Sequence, residues 1–246
     1  MTTNGATSHR VRSRPAALLR GLEATARHTV AVDVVLFTIQ DDALKVLLVR
    51  RDRVPFRGHW SLPGGFVRSE ESVDEAVLRE LQEETNIGNV YLEQLYTFGE
   101  QDRDPRGRVM TVAYYALVNA QQFQVRGKPD VSAAWCAVNH LPGLAFDHGR
   151  IIEYALERLR NKINYTTVGF QSLPRQFTLT ELQTAYEIIL DQRLDKRNFR
   201  KKMLQLGIMK ETGDFKANGR QRPARLYTFT KPKVIKLQEK GIIVPF

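Results

Sequence analysis

The chain has 246 residues, 42% hydrophobic and 26% charged, a composition that fits a globular protein with one large core or two modest ones. A single cysteine, Cys136, excludes an intrachain disulfide framework and suits a reducing compartment. No apolar run approaches the ~20 residues of a membrane span, so a cytoplasmic protein without membrane contact is expected. The net charge of +10 is uneven: from Phe170 onward 16 Lys/Arg stand against 7 Asp/Glu, a surplus of +9, which predicts two domains, the second facing a polyanion.

In chain order, residues 1–27 are basic with no acid before Glu23. They read either as a transit peptide or as a flexible basic arm, and the arm is preferred. "HTVAVDVVLFTI" and "ALKVLLVRR" predict strands joined by a turn at "QDD", and "GHWSLPGG" predicts a loop. "SVDEAVLRELQEET" predicts a helix with Val77, Leu78 and Leu81 as its apolar strip and Glu75 paired with Arg79 one turn on. Three further strands follow in "NVYLEQLYTF", "VMTVAYYALV" and "SAAWCAV". "DHGRIIEYALERLRNKI" then sets Ile151, Tyr154, Ala155, Leu159 and Ile163 at helical spacing. Strands with helices laid on them predict an α/β layered domain over residues 28–163.

Beyond "NYTTVGFQSLPRQ" the pattern changes. "TLTELQTAYEIIL" opens with a capping box, Thr178 and Glu181, and lines up Leu182, Ala185 and Ile189. "DKRNFRKKMLQLG" is N-capped by Asp195 and stopped by Gly207. It turns Phe199, Met203 and Leu206 inward and leaves Lys196, Arg197, Arg200 and Lys201 for the outside. "IMKETGDFKANGRQRPARLYTF" predicts two short strands around a long tip carrying Arg220, Arg222 and Arg225. Helix, turn, basic helix and basic hairpin predict a winged helix-turn-helix over residues 170–246. Arg197 and Arg200 are placed to reach base edges, and the wing arginines to meet backbone phosphates.

The chemistry concentrates in "RELQEETNIG". Glu80, Glu83 and Glu84 lie three and four apart, so a helix stacks them on one face where Glu80 and Glu84 repel, with no lysine one turn on. Stacked carboxylates without basic partners suit a hard divalent cation, Mg²⁺ or Mn²⁺, and a pyrophosphate bond is the natural substrate of such a site.

From Gly65 the residues "GFVRSEESVDEAVLRELQEETNI" resemble the Nudix box, G-x5-E-x7-R-E-U-x-E-E-x-G-U, with Asn86 where the second glycine belongs. The resemblance implies a Nudix sandwich with a mixed sheet, with Glu80, Glu83 and Glu84 as metal ligands, Arg79 orienting a glutamate and Glu71 supporting the turn into the helix. Asn tolerates the left-handed conformation that a helix end needs, so the departure is conservative in geometry. "LLVRRDRVPFRGHWSLPGGFV" and "FGEQDRDPRGRVMTVAYYALV" are similar to ADP-ribose pyrophosphatases of the Nudix group. That similarity makes Arg51, Trp60, Gly64, Gly65, Phe66 and Arg103 candidates to hold phosphates or adenine; Glu100 and Asp102 are guesses for the catalytic base. With the basic last third, nearly the whole chain resembles Nudix-related transcriptional regulators of the NrtR type. That resemblance implies a homodimer that represses NAD-metabolism genes from a double-stranded operator and responds to ADP-ribose. The intact acids leave open whether the ligand is cleaved, giving AMP and ribose 5-phosphate, or only bound. A sugar-responsive regulator of similar layout is a third reading, against which the acids argue.

Overall fold

The computed structural model describes residues 28–88, 90–123, 125, 132–218 and 221–230, with the side chains of residues 218, 221 and 222 excepted. The basic arm expected over 1–27, Arg220, and the last residues of the chain lie outside this description.

A mixed sheet forms the first half. Its axis is β1 (Thr29–Gln40), paired in parallel with β6 (Val109–Val118) on one side and antiparallel with β2 (Ala43–Arg50) on the other. β1 and β2 part company beyond Phe37 and Val46. Two short strands use the opening: β4 (Gly64–Phe66) pairs with Ala31–Asp33 of β1, and β3 (Trp60–Ser61) pairs with the end of β2. These lie in the stretch expected to be a loop. Two or three residues of Gly, Trp and Ser carry no alternation, and only the gap between β1 and β2 makes strands of them. β5 (Glu93–Phe98) and β7 (Ala133–Ala137) pair with β6 and β2.

The β-branched alternation of β1 sends its side chains to opposite faces. Val32, Val34 and Leu36 pack under α1 (Val73–Thr85) with Ala76, Val77 and Leu81. Val35 and Phe37 pack on the other face under α2 (His148–Ile163), against Ile151, Ala155, Leu159 and Ile163. Leu78, expected in the apolar strip of α1, is instead 47% exposed, because Val73, Ala76, Val77 and Leu81 take the side of the helix that packs on the sheet.

The second half is built from α3 (Leu179–Leu190), α4 (Lys196–Gln205) and the hairpin β8 (Met209–Asn218) and β9 (Gln221–Phe229). The Thr178–Glu181 capping box starts α3, the Asp195 carboxylate accepts from the Asn198 N–H to start α4, and Gly207 ends α4 at φ 61°. Phe177 exchanges two backbone hydrogen bonds with Tyr227, adding an edge to the hairpin. The hairpin strands are longer, and the tip between them shorter, than the sequence suggests. Apolar residues do not alternate along them, so their length is set by pairing rather than by burial. The halves are not insulated: the core beneath α2 continues through Tyr186, Ile189, Phe199 and Met203. Among the described residues no helix is long and apolar enough to cross a membrane.

Candidate functional site

Helix α1 positions the acids. Ser72 caps it by accepting the Glu75 N–H, and Glu75 reaches back to the Ser72 N–H at 2.8 Å. Glu75 is therefore used in a capping box and does not pair with Arg79 as the i,i+4 spacing suggested. Asn86 ends the helix at φ 59°, in the left-handed conformation its sequence position called for.

With Glu75 engaged, Arg79 turns to the loop. Its Nε and Nη2 donate to the two oxygens of Glu71 at 2.8 and 2.6 Å, and its Nη1 donates to Glu80 at 2.6 Å. The Arg79 hydrogen bonds hold the Glu71 carboxyl down at about 2, helped by the Arg68 backbone N–H. Glu80, though only 8% exposed, thus has its charge matched. Glu83 approaches Arg68 at 3.4 Å, and Glu84 accepts the Gly64 N–H at 3.0 Å. The repulsion expected among the stacked acids is relieved by arginines and a backbone amide that are not one turn on along the helix.

Gly65 sits over this cluster: a Cβ there would stand 2.5 Å from Glu80 Cδ and 2.8 Å from its Oε2. Gly64 lies as close to β1, its missing Cβ blocked by Val32 O and by Asp33 Oδ1 at 2.8 Å. Both glycines are required by close approach rather than by dihedral freedom.

Glu80, Glu83 and Glu84 line a cavity of about 410 Å³ together with Arg51, Gly64, Gly65, Phe66 and Arg103. Six arginines and six carboxylates contribute to its wall, which suits an anionic ligand accompanied by a cation far better than an apolar one. Arg51 lies over the Phe146 ring at 4.7 Å. Burial, then the nearby Arg106 and Arg53 charges, lower its pKa, so an anion entering there relieves crowding among cations. Arg103 is held at the cavity wall by both oxygens of Asp147, at 3.0 and 2.7 Å. Trp60 does not line the cavity; it packs at the edge of the core beneath α2. Nor do Glu100, bound to Arg150 at 2.6 Å, or the exposed Asp102.

Several lining residues escaped the sequence reading: Asp33, Arg53, Arg68, Asp104, Arg106, Phe146 and His148. Arg106 lies 4.9 Å from the Phe66 ring and 5.3 Å from the Phe146 ring, and it is forked onto Asp104. Burial works to raise the Asp104 carboxyl, but the Arg106 hydrogen bonds outweigh it and hold the group below its ordinary value. Asp33 did leave a trace, as a lone charge in the apolar run "VAVDVVLF". His148 is fully buried with its pKa lowered by that burial; its Nδ1 accepts the Leu62 N–H at 2.8 Å, so the proton resides on Nε2, 3.5 Å from Asp33.

For a cation, the donor set is three carboxylates, the oxygen chemistry Mg²⁺ or Mn²⁺ prefers, and Gly65 leaves Glu80 unobstructed by a side chain. Among the described residues no three acidic, His or Cys side chains already converge as a cage. Glu80, Glu83 and Glu84 are instead engaged by Arg79, Arg68 and the Gly64 N–H.

The second surface is α4. Lys196, Arg197 and Lys201 are exposed, while Phe199 and Met203 are buried beneath them. Arg200 is half-buried and donates to Thr180 Oγ1 at 3.1 Å, tying α4 to α3. On the wing, Arg225 is exposed but paired with both oxygens of Glu211 at 2.9 Å. Arg222 is in β9, and its side chain lies outside the described residues, as does Arg220.

A carboxylate helix facing a cavity, joined to a basic helix-turn-helix with a hairpin wing, defines a Nudix domain coupled to a DNA-binding winged helix. Residues 27–155 match the NUDIX domain and residues 169–229 the NrtR DNA-binding winged helix domain. The chain is 39% identical over 202 residues to the ADPR responsive transcriptional repressor NtrR of Acinetobacter baylyi, 80% of each chain being covered. It is similar to the crystal structure of Shewanella oneidensis NrtR complexed with a 27mer DNA, with a TM-score of 0.73 and 42% identity over 82% of this chain and 93% of that one. It also resembles the NUDIX domain of that protein complexed with ADP ribose, with a TM-score of 0.52 and 42% identity over 60% and 99% of the two chains. The chain belongs to the NrtR family of Nudix-related transcriptional regulators.

Proposed function

We propose that this protein represses genes of NAD metabolism by binding an operator through its winged helix, and that ADP-ribose in the Nudix cavity releases it. The observation that carries this reading is the joining of a charge-lined 410 Å³ cavity to an exposed basic helix by one uninterrupted core. Residues 28–163 form the sensing domain and 170–246 the DNA-binding domain. Arg51 and Arg103 hold ligand phosphates, Phe66 offers its ring to the base, and Gly64 and Gly65 let backbone approach the ligand. Lys196, Arg197 and Lys201 meet DNA directly, with Arg200 setting the angle of the helix. Arg220, Arg222 and Arg225 supply wing contacts, for which Arg225 exchanges Glu211 for phosphate. A cytoplasmic homodimer presents two such helices to half-sites about 34–36 Å apart. Fluorescence anisotropy with the upstream region of an NAD-synthesis operon tests this: ADP-ribose should dissociate the complex, and an ADP-ribose-insensitive complex on every such region sinks the reading.

The intact acids favour a second activity in the same cavity, hydrolysis of ADP-ribose to AMP and ribose 5-phosphate. Mg²⁺ or Mn²⁺ held by Glu80, Glu83 and Glu84 would supply polarisation of the phosphorus. Arg79 and Glu71 fix the backbone and the Glu80 carboxylate, while Arg51 and Arg103 neutralise the diphosphate. Product analysis after incubation with Mg²⁺ tests it; a Glu83→Gln variant with wild-type turnover would remove this reading and leave the sensor.

A further inference from the structure

The start of α2 is arranged in an unusual way. Asp147 occupies the N-cap position, where an aspartate ordinarily accepts the N–H groups of the first turn, yet its side chain makes no capping bond. Both of its oxygens are taken by Arg103, whose side chain is 4% exposed and forms part of the cavity wall beside Asp33, 3.6 Å away. One guanidinium therefore serves the ligand cavity and the beginning of a helix at once. At its other end, about 24 Å away at 1.5 Å per residue, α2 is fastened to the DNA-binding half. Arg160 Nε donates to Ile189 O, near the end of α3, at 2.9 Å, and Leu159 and Ile163 share a core with Tyr186 and Ile189.

We infer that the Arg103–Asp147 pair is the relay that makes operator binding respond to an anionic ligand, an inference that rests on the function proposed above. A guanidinium forked onto one carboxylate presents the same donors that a phosphate requires. A diphosphate entering the cavity competes with Asp147 for Arg103, and the released carboxylate becomes available to the first-turn N–H groups of α2. The ligand then stabilises one setting of α2 over the other, which is the differential contact that any shift between two states needs. A neutral sugar does not compete for Arg103, so the relay restricts the response to phosphorylated ligands. Asp147 acts as a positioning residue: it does not line the cavity and acts through Arg103.

The test uses the full chain with Asp147→Asn and Asp147→Ala. Calorimetry should give ADP-ribose affinities equal to or tighter than wild type, because neither variant competes with the diphosphate for Arg103 as a carboxylate does; a loss of affinity overturns the competition. Anisotropy should show that the factor by which ADP-ribose weakens operator binding falls from the 5–150-fold of ordinary allosteric couplings to below about twofold. Asp147→Asn, whose amide can cap but cannot accept the two-oxygen charged fork of Arg103, should hold the operator weakly even without ligand. Variants that respond by the wild-type factor overturn the relay alone; a wild-type chain that binds operator but ignores ADP-ribose overturns the functional reading and the relay with it. Hydrogen exchange on the wild-type chain needs no variant to fold. ADP-ribose should raise protection of the amides of Gly149 and Arg150, whereas ribose should not, and unchanged protection on saturation with ADP-ribose overturns the relay.

Discussion

Gly65→Ala is the most economical perturbation of the cavity. The new Cβ would stand 2.5 Å from Glu80 Cδ and 2.8 Å from Oε2, where ordinary contact begins near 3.4 Å. Glu80 must therefore retreat by about 1 Å, and it cannot do so while holding Arg79 at 2.6 Å. The clash is with the end of a side chain and not with backbone, so the sheet survives and the loss falls on the site. Displacing a ligand or its supporting contact costs about 10–100-fold in metal affinity, and the Mg²⁺-dependent part of ADP-ribose affinity should fall by that factor. Calorimetry with and without Mg²⁺ measures it, alongside a thermal melt. Gly64→Ala is the contrasting control: its Cβ meets Val32 O and stands 3.0 Å from Asp33 Cα, backbone atoms of the central strand that cannot step aside. That variant should lose about 1–3 kcal/mol of stability as an overpacked site does. A Gly65→Ala protein with wild-type Mg²⁺ dependence would refute the assignment of Glu80 to the cation.

Acid should destabilise the protein in two stages. Burial depresses His148 below its ordinary 6.5, so the stability contributed by its neutral form is complete above that pH and is lost as pH falls below it. His148→Asn, which can still accept the Leu62 N–H, should lose this first stage in melts followed against pH. Glu71, held at about 2 against an ordinary 4.5, contributes stability present above 4.5 and lost as pH falls toward 2. Asp195→Ala removes the cap of α4 and should cost about 0.5–2 kcal/mol, read by urea denaturation, with weakened operator binding as the helix start frays. Arg197→Ala should reduce the slope of log affinity against log salt by about 0.9 if the residue meets a phosphate; an unchanged slope with altered sequence preference would instead place it on a base edge.

Elements defined by their own residues were legible in the sequence. β6 coincides with the expected run "VMTVAYYALV", and the Thr178–Glu181 box, the Asp195 cap and the Gly207 stop stand where their side chains placed them. Asn86 adopts the left-handed conformation expected at that place in the box. These features depend on interactions within a few residues, so a linear reading contains them. The spacing of Glu80, Glu83 and Glu84 likewise sets all three on one wall of the cavity, because helical periodicity alone puts them on one face.

Tertiary structure decided what those side chains meet. Glu75 is one turn from Arg79 yet serves Ser72, and Arg79 reaches back eight residues to Glu71, since a folded loop offers a better fork than an exposed neighbour. Trp60 lies six residues from Phe66, but β3 and β4 carry them to different surroundings, and only Phe66 lines the cavity. Asp33, Arg106, Phe146 and His148 enter the site from three distant parts of the chain, which no local pattern joins. The sequence by itself determined that this protein carries a carboxylate helix and a basic helix. Only packing decided that α2 begins beside the first and ends against the domain that bears the second, because burial of its apolar stripe depends on residues far apart in the chain.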